Sequence, residues 1–155
     1  MLKKTITYTD YNGVQRTENF YFSLSKAEII DMELGVSGGM RQLLQLIIDK
    51  QDIPKIIDTF KKLIRLSYGE KSPDGRRFIK SEELTNAFVQ TEAYTELYME
   101  LIGDADKAAD FINSIMPSDV LAAMQEREAA KKAEEAKPEN NGDANLLNVV
   151  AIDNK

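Results

Sequence analysis

Phe20-Tyr21-Phe22-Ser23-Leu24-Ser25-Lys26-Ala27-Glu28-Ile29 is where the apolar pattern of the chain changes its period from that of a strand to that of a helix. Upstream, residues 3–9 and 14–24 alternate, with Ile6 and Tyr8, then Val14, Phe20, Phe22 and Leu24, in phase. Asp10-Tyr11-Asn12-Gly13 lies between the two runs, and Asn12-Gly13 supplies the positive φ angles that a tight connection demands, so this part reads as a β-hairpin. Two strands alone are marginal in water, and the ribbon must lie on something else. Downstream, Ser25-Lys26-Ala27-Glu28 is a capping box: the Ser25 hydroxyl accepts from the Glu28 amide, the Glu28 carboxylate reaches back, and Leu24 staples onto Ile29. A helix therefore starts at Ser25.

That helix is short, because Gly35 and the Ser37-Gly38-Gly39 cluster break its pattern. Met40, Leu43, Leu44, Ile47 and Ile48 then place large apolar side chains on one stripe of a second helix. Asp52 is an N-cap ahead of Ile53-Pro54, and Ile53, Ile56, Ile57, Phe60 and Ile64 predict a third helix, ending with Gly69 as its C′ residue. Glu70 to Lys80 is an irregular stretch holding the β-turn sequence Ser72-Pro73-Asp74-Gly75. Ser81 caps the next segment, where the apolar face from Leu84 to Ile102 predicts one long helix bent near Gln90-Thr91. Gly103 stops it, Asp104 caps a helix ending before Pro117, and Ser118 opens a last one. The fold expected is mainly α: an N-terminal β-hairpin packed on a bundle of about five to six helices.

A chain of 155 residues with 43% apolar and 30% charged residues suits one domain with a real core. Its expected extent is 1–124. From Gln125 to Lys137 only Ala, Glu, Lys, Arg and Gln occur, so 125–155 is expected to be a charged, largely disordered tail, helical in part by propensity. Within it, residues 146–152 (Leu146-Leu147-Asn148-Val149-Val150-Ala151-Ile152) stand out as apolar; they read either as a docking segment for a partner or as a remnant that folds back. No apolar run approaches the ~18 residues needed to cross a bilayer, and the N-terminal residues lack the apolar region of a signal peptide, so a cytoplasmic protein without a membrane partner is expected.

The chain has no Cys and no His, which removes disulfides, thiolate nucleophiles, imidazole bases and zinc fingers together. The acidic pairs Glu82-Glu83 and Asp104/Asp106 sit where helices begin, and the helix dipole and capping account for them. There is no Walker lysine loop, GxSxG elbow, GxGxxG turn or calcium loop. No catalytic, cofactor-binding or metal-binding residue is assigned, and an enzyme is not expected. The net charge of −6 favours protein partners over nucleic acid. Against that balance, residues 61–80 carry Lys61, Lys62, Arg65, Lys71, Arg76, Arg77 and Lys80 with only Glu70 and Asp74 opposing them. The cations interleave with Phe60, Tyr68 and Phe78, which suits a small nucleic-acid-binding regulator that grips phosphates and stacks bases. Equally, the segment suits docking of an acidic protein, or a solvated helix face and loop with no partner, in which Phe60 and Tyr68 belong to the core.

Several strings together resemble the tail assembly chaperones of long-tailed (siphovirus-type) bacteriophages. They are Phe22-x-Leu24-Ser25-Lys26-Ala27-Glu28, the Gly38-Gly39 break, Ser67-Tyr68-Gly69-x-Lys71-Ser72-x-Asp74-Gly75-x-x-Phe78-x-Lys80-Ser81, Phe88-x-x-Thr91-x-Ala93-Tyr94-x-x-Leu97, and Phe111-Ile112 ahead of Pro117. The resemblance covers roughly residues 2–124 and lapses beyond Gln125. It implies a non-enzymatic assembly factor, working in the host cell cytoplasm and absent from the mature virion, that binds the tape measure protein and recruits major tail tube protein subunits. It also implies a longer frameshifted product, for which the codons of Ala130-Lys131-Lys132 would be a place. The contact surface expected for such partners comprises Lys61, Lys62, Arg65, Tyr68, Lys71, Asp74, Arg76, Arg77, Phe78 and Lys80, with the free hairpin edge as a route to self-association.

Overall fold

In the computed structural model, residues 1–35, 49 and 53–136 are described. The expected stripe at Met40–Ile48, the Gly38-Gly39 break, the Asp52 cap and the apolar segment 146–152 lie outside them. The chain divides into two compact units, Met1–Leu121 and Ala122–Lys155.

Strands β1 (Leu2–Thr9) and β2 (Gln15–Phe22) form the N-terminal antiparallel hairpin, in unbroken register from Leu2↔Phe22 to Thr9↔Gln15. Its turn is organised by Asp10. One carboxylate oxygen accepts from the amides of Asn12 and Val14, each at 2.9 Å, and the other accepts from Arg16 Nε at 2.6 Å. Gly13 takes φ 79°, which only a residue without Cβ adopts freely. Helix α1 (Lys26–Gly35) follows, and its capping box is formed as the sequence indicates: Ser25 N–H donates to Glu28 Oε2 at 2.8 Å and Glu28 N–H to Ser25 Oγ at 3.2 Å.

Helix α2 (Ile53–Ser67) runs directly into strand β3 (Tyr68–Lys71), and β4 (Phe78–Ile79) returns beside it. The stretch read from sequence as irregular is therefore a second hairpin. β2 pairs antiparallel with β3 through Tyr21↔Gly69 and Phe22↔Tyr68, giving one four-stranded sheet in the order β1-β2-β3-β4. Gly69 is not a helix C′ residue. Its φ is not positive, and a Cβ on it would lie 2.7 Å from Phe78 Cε1 and 2.8 Å from the Ile79 carbonyl oxygen, so close approach of β4 explains the glycine.

The expected long helix is two: α3 (Glu82–Val89) and α4 (Glu92–Gly103). Ser81 caps the first as expected, accepting from Leu84 N–H at 3.1 Å. At the break Thr91 takes an extended backbone (φ −93°, ψ 154°), and its side chain accepts from Tyr94 N–H. The apolar period continues across the break, which is why periodicity alone reads the two as one. Asp104 then caps α5 (Ala105–Ile115), accepting from the amides of Asp106 and Lys107. Helix α6 (Ser118–Glu135) opens where Ser118 predicts; within the second unit it continues as helix, with residues 129–136 exposed.

The core is aromatic where the sheet meets the helices. Phe22 is fully buried, with ring centroids 5.8 Å from Tyr68, 5.8 Å from Phe88 and 5.4 Å from Phe111. Tyr68 stacks on Phe88 at 4.3 Å, and Phe20 lies 5.1 Å from the same ring. Burying each such side chain contributes about 1.5–3 kcal/mol. Leu63, Ile64, Leu97, Ile112 and Ile115 fill the remainder. Past Phe22 the chain is fixed by two backbone bonds, Ser23 N–H to the Ser67 carbonyl and Leu24 N–H to that of Ile115, both 2.8 Å. Ser67 is buried at the α2–β3 junction, and its hydroxyl donates back to the Leu63 carbonyl at 2.7 Å, so no polar group is stranded there.

Candidate partner-binding surface

The β3–β4 turn is built by Ser72 and Asp74. Gly75 N–H donates to the Ser72 carbonyl at 2.8 Å, and Gly75 has φ 71°. The Ser72 side chain is doubly used: its hydroxyl donates to Asp74 Oδ1 and accepts from Arg77 N–H at 3.0 Å. Asp74 Oδ1 also accepts from Arg76 N–H at 3.1 Å. The hydroxyl first, and the amide second, hold the Asp74 carboxyl below its ordinary pKa. Asp74 thus acts as a former of the turn, and the backbone of Arg76 and Arg77 is held at both residues. Their side chains are exposed and make no ion pair among the described residues.

The base of this hairpin is anchored to α1. Lys80 Nζ lies 2.7 Å from both carboxylate oxygens of Glu28, the residue that closes the capping box, and 5.7 Å from the Phe78 ring centroid. Burial pushes the Glu28 carboxyl up, but the hydrogen bonds from Lys80 and the Ser25 amide outweigh it and hold the pKa below its ordinary value. Lys71 sits over the Tyr21 ring of β2 at 4.6 Å.

The three α2 cations have different neighbours. Lys61 lies over Tyr98 of α4 at 5.6 Å, Arg65 Nη2 donates to Asn86 Oδ1 of α3 at 2.8 Å, and Lys62 pairs with Asp58 on its own helix at 3.0 Å. Of the ten residues singled out in the sequence, Tyr68, Lys71, Asp74, Arg76, Arg77, Phe78 and Lys80 share one hairpin, while Lys61, Lys62 and Arg65 belong to the exposed side of α2. Tyr68 is 7% exposed and Phe60 1%, with Phe78 half-buried against Gly69. Burial pushes the Tyr68 hydroxyl pKa up. The aromatic rings between the cations are therefore core, and only Phe78 offers a partly open face, so the base-stacking arrangement that a nucleic-acid reading requires is not formed.

Sequence reasoning missed the partners that position these cations: Glu28, Tyr21, Asn86 and Tyr98. The capping box marked Glu28, but nothing in the chain marks a lysine 52 positions away as its second ligand. Also unmarked is a cleft of about 610 Å³ between residues 18–21 of β2 and 68–71 of β3, where pairing stops after Tyr21↔Gly69 and the strands diverge. An apolar cleft of about 280 Å³ lies between α2 and the α4–α5 junction, walled by Ile53, Ile57, Phe60 and Ile102. Among the described residues no group of acidic side chains converges to hold a metal ion, and no helix is long and apolar enough to cross a membrane.

No curated protein and no solved structure matches the chain. A family model described as phage tail assembly chaperone matches residues 1–153, reaching well past Gln125, where the motifs quoted above lapse. With nearly the whole length matched, the chain belongs to the phage tail assembly chaperone family.

Proposed function

We propose that this protein acts by binding during tail morphogenesis, in the host cytoplasm: it holds the tape measure protein and recruits major tail tube protein subunits, without turning over a substrate. Family membership supports a non-enzymatic tail assembly role. The observation that carries the rest is the β3–β4 hairpin. Arg76 and Arg77 project unpaired, among the described residues, from a turn locked by Ser72 and Asp74, on a chain whose net charge is −6. Exposed cations on a backbone held in this way suit an acidic protein surface and give association that salt weakens. Many copies along one extended client add weak contacts into avidity, and each contact remains easy to displace when tube subunits arrive.

Arg76→Glu with Arg77→Glu tests this. Co-purification with the tape measure protein should fall by roughly tenfold or more, while thermal unfolding stays within ~0.5 kcal/mol of the parent, because neither side chain is packed. Unchanged co-purification would reject the hairpin as the contact. Tight, steeply salt-dependent binding to DNA or RNA in a gel shift would instead favour the regulator reading.

A further inference from the structure

The strand β1 lies at the edge of the sheet, and the direction of its free backbone groups can be read from two bonds. Asp10 N–H donates inward to the Val14 carbonyl, and Ser23 N–H leaves β2 on the side away from β1, toward Ser67. N–H and C=O groups of successive strand residues point to opposite edges. Leu2, Lys4, Ile6 and Tyr8 therefore pair with β2, and Lys3, Thr5, Thr7 and Thr9 present eight backbone groups outward, with no strand beside them among the described residues. Their side chains are exposed on one face of the sheet, while Ile6 and Tyr8 are buried on the other.

Natural edge strands are blunted by proline, bulges, short length or free charges. β1 has none of the first three: it runs eight residues in continuous register and contains no Pro. Of its two lysines, Lys4 is drawn to Glu100 of α4 at 2.9 Å, leaving Lys3 as the one cation of this strand facing solvent on the threonine side. The threonine face is already a hydrogen-bonded ladder, Thr5 to Asn19 at 2.7 Å and Thr7 to Thr17 at 2.9 Å.

We infer that β1 is an interface between two copies of this chain, joined antiparallel about a two-fold axis at Ile6. That register sets Thr5 opposite Thr7 and Lys3 opposite Thr9 of the second copy, so all eight outward backbone groups find partners and no like charges meet. A two-fold at Thr5 leaves the Thr9 groups unpaired within the strand, which favours the Ile6 axis. The joined sheet has four strands from each copy, and the basic hairpin lies at the opposite edge, free for a client.

Sedimentation of the full chain from micromolar to millimolar concentration should show a reversible monomer–dimer equilibrium. Thr7→Pro removes one outward N–H and spares the pairing with β2, since edge strands tolerate proline whose nitrogen faces solvent. Thr5→Lys combined with Thr7→Lys sets lysine against lysine across the axis without touching the core. Each variant should weaken dimerisation by roughly tenfold or more. If the proline variant fails to fold, as circular dichroism would show, the lysine pair decides. A parent that stays monomeric throughout, as it would if another segment of its own chain covered the edge, overturns the proposal. So does a dimer that neither variant weakens.

Discussion

The β1–β2 hairpin pairs eight residues on each strand around a turn whose Gly13 has open space beside it, whereas β3–β4 pairs only two residues on each strand, next to a β3 glycine, Gly69, pressed against Phe78. The first carries its information along the chain: alternation, a turn dipeptide, and Asp10 in reach of its own loop amides. The second is held from outside. Tyr68 stacks on Phe88, Lys80 is gripped by Glu28, and Lys71 lies on Tyr21 of the neighbouring strand. A long hairpin can be specified by its own pattern. A two-residue one exists because the core and the first helix leave it no other place.

Phe22 is where the two depend on each other, and removing it should give the largest effect. Phe22→Ala takes away a fully buried ring in contact with three others, and should cost about 3–5 kcal/mol in urea unfolding. A loss below about 1 kcal/mol would mean that the hairpins fold independently.

The two glycines separate the hairpins more finely. Gly69→Ala forces a Cβ against the Ile79 backbone carbonyl, which cannot swing away as a side chain can, and should cost about 1–3 kcal/mol. Gly13→Ala meets nothing but must hold φ 79°, at a cost of about 1 kcal/mol. Thermal unfolding of both variants in parallel checks the order; the reverse order would mean that turn strain, not close packing, governs this sheet.

The smallest expected effect is at Lys80. Because the Glu28 carboxyl is held below its ordinary value of 4.5, its contribution to stability is present above that pH and is lost as the pH falls through its folded-state value. Lys80→Met leaves the burial of Glu28 unopposed by a cation, so neutral-pH stability should drop by about 0.5 kcal/mol and converge with the parent in acid. Urea midpoints at neutral pH and near pH 3 measure this. A difference that persists in acid would assign the effect to lost packing of the lysine stem.

Much of the molecule is legible in the chain itself. The alternating runs, the Ser25-Glu28 box, the Ser81 and Asp104 caps and the Ser72–Gly75 turn all rest on interactions spanning a few residues, and all appear where the residues put them. The break at Thr91 was half visible: the apolar period runs through it, and only the extended backbone, capped by the Thr91 side chain, ends one helix and begins the next. At the candidate surface the cations were legible as a composition, but their setting was not. The residues leave Tyr68 open between an accessible ring among cations and a core ring, and packing against Phe22 and Phe88 decides for the core.

By itself, then, the sequence determined the first hairpin, the helix starts at Ser25, Ser81, Asp104 and Ser118, the absence of cysteine and histidine chemistry, and the basic segment, because each depends on neighbours in the chain or on composition alone. Only the tertiary structure decided that residues 68–79 form two more strands, that Gly69 answers to a facing ring, and that Glu28 holds Lys80. Those outcomes depend on groups brought together from across the chain, Gly69 with Phe78, Tyr68 with Phe88 and Glu28 with Lys80, beyond the reach of any local period or propensity, and burial of shared aromatic surface is the main energy that selects them.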